Sequence, residues 1–126
     1  MTHVLLVSKE KIGLEPMAIE LLKDNKNVIH QLDSGQQALA LVGQEKIDVV
    51  VVAEELSDSD GLSFVKDLTK KYPLINCAMI SSLPHDEFHE ETEGLGVFMQ
   101  LPRNPGAKET EQMMGLLESI NVLMTM

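Results

Sequence analysis

The stretch "IDVVVVAEELSDSDGL", residues 47–62, decides the fold. Its first half is a continuous, largely β-branched run, the pattern of a strand over 47–54 covered on both faces in a parallel sheet. The second half breaks into Ser, Asp and Gly, and the segment 57–73 reads as loop and then helix, with Leu62, Val65, Leu68 and Tyr72 on one stripe and Pro73 as its stop. A buried strand therefore runs to a tip, crosses a loop and returns as a helix. The tip carries the methyl of Ala53, with the acids Glu54 and Glu55 just beyond. Alternation along a strand places Glu54 on the face opposite Ala53, so Glu54 is expected to look away from any pocket that Ala53 faces.

The same unit repeats outward from this stretch. "HVLLVS" (3–8), "NVIHQLD" (27–33), "INCAMISS" (75–82) and "GVFMQL" (96–101) read as four further strands. A helix over 14–24 has Pro16 in its first turn and Met17, Leu21 and Leu22 inward. Ser34 opens another, with Gln37 completing a capping box, Ala38, Leu39, Leu41 and Val42 inward, and Gly43 weakening its end. A last helix is predicted from about Pro105 to Leu123, with Asn104 as N-cap and Leu116, Ile120 and Leu123 inward, joined by Met113 or Leu117. Between the fourth and fifth strands "LPHDEFHEETEGL" offers only Phe88 to the core, which predicts a short, mobile or irregular fourth helix.

Strictly alternating strands and helices imply an α/β domain over 1–126, with a parallel sheet between two helical layers. The flavodoxin-like, doubly wound order 2-1-3-4-5 is the expected topology. Ligands in such sheets bind beyond the carboxyl ends of the strands, at the switch point between the first and third. The residues there are Ser8, Lys9 and Glu10; Ala53, Glu54 and Glu55; Ser81 and Ser82; and Leu101 and Pro102.

A net charge of −10 leaves no basic stripe to neutralise phosphates, so neither nucleic acid nor an anionic membrane surface is an expected partner. It does suit a basic protein patch. The one cysteine, Cys77, lies in an apolar run, which predicts a buried inert thiol and a reducing compartment. No apolar stretch approaches the roughly 20 residues of a membrane span, and the apolar start is too short for a signal peptide. A cytoplasmic location is expected.

With these strands placed, the chain resembles the CheY-like response-regulator receiver domains along its whole length. "VLLVSKE" (4–10) matches their first strand and acidic turn, and "AMISS" (78–82) their fourth strand, which ends in a threonine or serine. Gly61 stands eight residues after Ala53, as a glycine does after the phosphate-accepting aspartate. "VFMQLPRNPG" (97–106) matches the fifth strand and its lysine-proline step. The resemblance implies a nucleophilic aspartate, a Mg²⁺-holding acid pair and a phosphoryl-contacting lysine. The corresponding positions here are Ala53, Ser8 with Lys9, and Leu101. Ser81 keeps the hydroxyl, Phe98 holds the switch-aromatic position, and Ser57 replaces the usual proline.

The resemblance thus implies a degenerate pseudo-receiver of two-component or phosphorelay signalling, with no catalysis and no cofactor. Its expected partner surface is the face of the fourth helix, fifth strand and fifth helix, for another protein or a second copy. The methionines Met113, Met114, Met124 and Met126 would make that face adaptable. A methyl cannot attack a phosphoryl group, and a hydroxyl and an ammonium are poor substitutes for Mg²⁺ carboxylates. Two alternatives stay open: phosphorylation at a non-standard residue, or a small-molecule binder at the switch point.

Lys9 could stand in for the metal by pairing with Glu10, Glu54 or Glu55, or could simply point into water. His85 and His89, at i,i+4 spacing, admit a Zn²⁺ or Ni²⁺ site, although a solvated polar helix face is the simpler account. "DSDG" (58–61) fails the twelve-residue Ca²⁺-loop pattern, because Leu56 falls at its first ligand position.

Overall fold

Five parallel strands run in the order β2-β1-β3-β4-β5, and the computed structural model describes residues 2–125. The strands are β1 (Thr2–Val7), β2 (Asn27–Leu32), β3 (Val49–Val52), β4 (Asn76–Ile80) and β5 (Val97–Leu101). A 3-10 turn over Lys11–Leu14 leads into α1 (Glu15–Leu22); α2 (Gly35–Gln44), α3 (Gly61–Lys71), α4 (His85–Thr92) and α5 (Ala107–Thr125) complete the fold. The expected flavodoxin-like architecture is the one observed.

The pleat sorts the core into two layers. Val4, Leu6, Val49, Val51, Ala78, Ile80 and Leu101 face α1 and α5, where Met17, Leu21, Met113 and Leu117 meet them. Leu5, Val7, Val50, Val52, Cys77 and Met79 face the other way, onto Ala38 of α2, Phe64, Val65 and Leu68 of α3, and Phe88 of α4. All four valines of β3 are fully buried, and each contributes about 1.5–3 kcal/mol by leaving water. Burial pushes the Cys77 thiol up to about 12, so it stays protonated and a poor nucleophile at neutral pH.

The acids of "DSDG" are helix caps. Asp58 accepts hydrogen bonds from the Gly35 and Gln36 N–H groups at 2.8 and 3.0 Å, tying the β3–α3 loop to the start of α2. Asp60 accepts from Ser63 N–H at 2.7 Å and caps α3. These backbone donors hold both carboxyls below their ordinary pKa. Ser34 caps α2 as expected, accepting from Gln37 N–H at 3.1 Å.

Several expectations need correction. The central strand is shorter than 47–54, ending at Val52. Leu22 is 59% exposed, and α1 buries Met17, Ala18 and Leu21 instead. α5 begins at Ala107, and Asn104 adopts a left-handed φ of 52° rather than an N-cap geometry. The first turn of α5 is held by Glu109, which accepts from Gly106 N–H, and by Thr110, whose hydroxyl donates to Gly106 C=O. The inward stripe of α5 is Thr110, Met113 and Leu117, while Leu116 and Leu123 are 46% and 71% exposed.

Of the methionines proposed for an adaptable face, Met113 is core, Met114 is half-buried and Met124 is exposed; Met126 lies outside the described residues. α4 is short as expected, but it is regular, with Phe88 and Thr92 inward. The Thr92 hydroxyl can be buried because it donates to Phe88 C=O at 2.8 Å. His85 and His89 stack on its exposed side with ring centroids 6.5 Å apart.

Gly61 has a packing reason. A β-carbon there would collide with the carbonyl oxygen of Ala53 and crowd Val52, while Gly61 N–H donates to Glu54 C=O at 2.9 Å. Gly61→Ala is expected to destabilise the fold by about 2–3 kcal/mol, read from urea unfolding. A loss under about 0.5 kcal/mol would show that the turn can open at little cost.

Candidate functional site

The carboxyl ends of β1, β3 and β4 and the β5–α5 loop enclose a shallow pocket of about 380 Å³. Its wall includes Ser8, Lys9 and Glu10 from the first loop, Ala53, Glu54 and Glu55 from the third, and Ile80, Arg103 and Asn104. The loops are fixed by backbone hydrogen bonds. Lys9 N–H donates to Glu55 C=O at 3.0 Å, and Ala53 N–H to Val7 C=O at 2.9 Å. The loop between β3 and α3 closes on itself through an isolated antiparallel bridge between Glu55 and Asp60.

The side chains facing this pocket are largely committed. Ser8 is nearly buried, and its hydroxyl donates to Glu10 C=O at 2.8 Å and accepts from Glu10 N–H at 3.2 Å. Ala53 is half-buried against the α1/α5 layer of the core. Leu101 is fully buried in that same layer, and Phe98 packs on it, partly buried. The Ser81 hydroxyl accepts from Leu83 N–H at 3.1 Å, in the loop that precedes α4.

Glu54 departs from expectation. Because β3 ends at Val52, strand alternation no longer governs Ala53 and Glu54, and both line the pocket. One Glu54 carboxylate oxygen accepts from Arg103 Nε at 3.0 Å. The other accepts from the Ser82 N–H and hydroxyl at 3.2 and 3.0 Å. Partial burial pushes the Glu54 pKa up, but the hydrogen bonds from Arg103 and Ser82 outweigh it, and the net direction is down. A single carboxylate thus ties three loops together at the top of the sheet.

Arg103 went unsuspected in the sequence, although it is the chain's only arginine and stands two residues past Leu101. It takes the partner that Lys9 might have held. Lys9 is exposed and makes no ion pair among the described residues, and Glu10 and Glu55 are exposed at the same pocket. Eight of the nine site residues chosen from the sequence are therefore placed at or beside this end of the sheet; Phe98, earlier on β5, belongs to the core beneath.

The response regulator receiver domain family matches residues 4–115. No curated protein matches the sequence. Among solved structures, the receiver domain of the Francisella response regulator 1452 is similar, with a TM-score of 0.83 at 20% identity over 96% of this chain and 99% of that one. The receiver domain of AraT from Geobacillus stearothermophilus gives 0.82 at 20% identity, over 99% and 98%. The chemotaxis protein CheY4 of Vibrio cholerae gives 0.78 at 20% identity, over 93% and 98%. At these identities the structures speak for the fold, and the family match over nearly the whole sequence carries the assignment. The chain belongs to the response regulator receiver domain family of two-component signalling.

Proposed function

We propose that this receiver domain signals without phosphorylation, as a protein-interaction module with no catalysis of its own. The observation that carries the reading is the Glu54 carboxylate, tied to Arg103 and Ser82 beside the methyl of Ala53. Where the resemblance implies an aspartate, an acid pair and a lysine, the chain offers a methyl, a hydroxyl closed into its own turn, an exposed ammonium and a buried leucine.

That donor set does not fit Mg²⁺, which requires oxygen ligands in near-octahedral array. Nor does Leu101 offer any charge to a phosphoryl oxygen. The loops that a phosphoryl group and metal would otherwise draw together are instead linked by an internal ion pair. Recognition is assigned to the α4–β5–α5 side, for a protein partner or a second copy. The shallow anchoring of α4, which buries only Phe88 and Thr92, and the exposed Leu116, Leu123 and Met124 of α5 support that surface.

Incubation with Mg²⁺ and a small phosphodonor such as acetyl phosphate is expected to leave the intact mass unchanged. A stable added phosphoryl mass would overturn the reading, and peptide mapping would then identify the acceptor.

The Glu54 tie has its own pH signature. A carboxyl whose pKa is lower folded than unfolded contributes stability above its unfolded value and loses it as pH falls through the folded one. Arg103 is 73% exposed on its side chain, so solvent screening limits the pair to about 1 kcal/mol or less. Arg103→Ala is expected to cost that much at neutral pH. The difference from the parent should shrink as the pH drops below about 4, in parallel urea titrations. A deficit that stays constant well below that pH would assign the loss to packing and remove the charge argument.

A further inference from the structure

A second concavity lies on the far side of Glu54 from the Ala53 pocket, between the start of α3, the end of β4 and α4. It measures about 250 Å³ and has an apolar lining that includes Leu62, Leu83 and Phe88, with the carboxylates of Asp60 and Glu91 at its edge. Leu83 is 40% exposed there, and its position is fixed. Its N–H donates to the Ser81 hydroxyl, and its C=O accepts from Gln100 Nε2 at 2.8 Å, while the same amide donates to Ser81 C=O at 3.2 Å. The Leu83 backbone is thus tied at both its N–H and its C=O, with its apolar side chain at the surface.

The charged side chains lining this cleft are all acidic: Glu54, Asp60 and Glu91. Of the cations nearby, Arg103 is engaged by Glu54, and Lys66, further along α3, acts on Asp60. Apolar walls under an acidic rim match a side chain with an aliphatic stem and a cationic head.

We infer that the α3–α4 cleft is a docking site for a basic, amphipathic segment of a partner protein. An Arg or Lys stem would lie along Leu62 and Leu83, with its head between Asp60 and Glu91. A second copy of this acidic chain is a poor occupant, because its own acidic walls would face these. The inference does not rest on the loss of phosphorylation, since the cleft lies outside the Ala53 pocket and uses none of the replaced positions.

The test is an NMR titration of the isotope-labelled protein with a synthetic peptide of alternating Leu and Arg clusters. A Gly–Arg peptide of equal charge serves as the control. Leu83 and Glu91 are both exposed, so Leu83→Ser and Glu91→Lys should keep parent-like spectra. The expected result is shifts centred on Leu62, Leu83 and Glu91, with each variant binding the Leu–Arg peptide about tenfold more weakly. The Gly–Arg peptide should bind weakly and indifferently to Leu83→Ser. The inference is overturned by absent binding, by shifts spread over every acidic face, by shifts centred on α1 and α5, or by variants that bind like the parent.

Discussion

The turn from β3 into α3 works because residue 61 has no β-carbon. The Gly61 backbone approaches the Ala53 carbonyl so closely that any larger residue would have to push the strand end and the helix start apart. That approach fixes where Glu54 and Glu55 leave the strand. Glu55 C=O then receives Lys9 N–H, and Glu54 C=O receives Gly61 N–H, so the first and third loops share one frame. Asp58 extends the frame to α2 by capping its first two N–H groups. The frame of the first and third loops is therefore built from backbone contacts, none of which uses the side chain at position 53.

On the proposed reading, this frame lets a receiver scaffold persist around altered chemistry. The residues that build the frame are Gly61, Asp58, Asp60 and the β-branched core of β3, and none of them is a phosphoryl or metal ligand. On the proposed reading, the positions that changed are those whose only demand was chemical. Leu101 gains core packing in place of a charge. Ser8 gains a local turn in place of a metal bond. The internal Glu54–Arg103 pair supplies one charge of each sign at the mouth, so the loops carry no unbalanced burial cost there.

The sheet, its order and most helices were legible in the sequence because each rests on local periodicity and topology rules. The missing features all depended on residues far apart. Glu54 meets Arg103 across 49 positions, and Asp58 caps α2 across 23; no spacing rule joins such residues. The Glu54 side chain was misplaced because alternation was carried two residues beyond the end of the strand. In α5 the expectation held in part: Met113 and Leu117 turn inward and Ile120 is half-buried, while Leu116 and Leu123 are exposed. Apolar residues occur around much of this helix, and only the sheet underneath decides which of them turn inward.

The same ambiguity bears on where the chain meets others. Its exposed apolar side chains fall into two electrostatic settings. Residues 112–124, the later part of α5, contain a single charge, Glu118, so Leu116, Leu123 and Met124 can approach a like surface without repulsion. Leu83 instead lies within the acidic walls of the α3–α4 cleft. A surface of the first kind tolerates self-association, whereas one of the second kind selects for a cation and rejects a copy of itself. Glu54 lines both the cleft and the pocket over Ala53. Both of its carboxylate oxygens are already held, one by Arg103 and the other by Ser82, which leaves a cationic head in the cleft to Asp60 and Glu91 and keeps the two recognition surfaces separate.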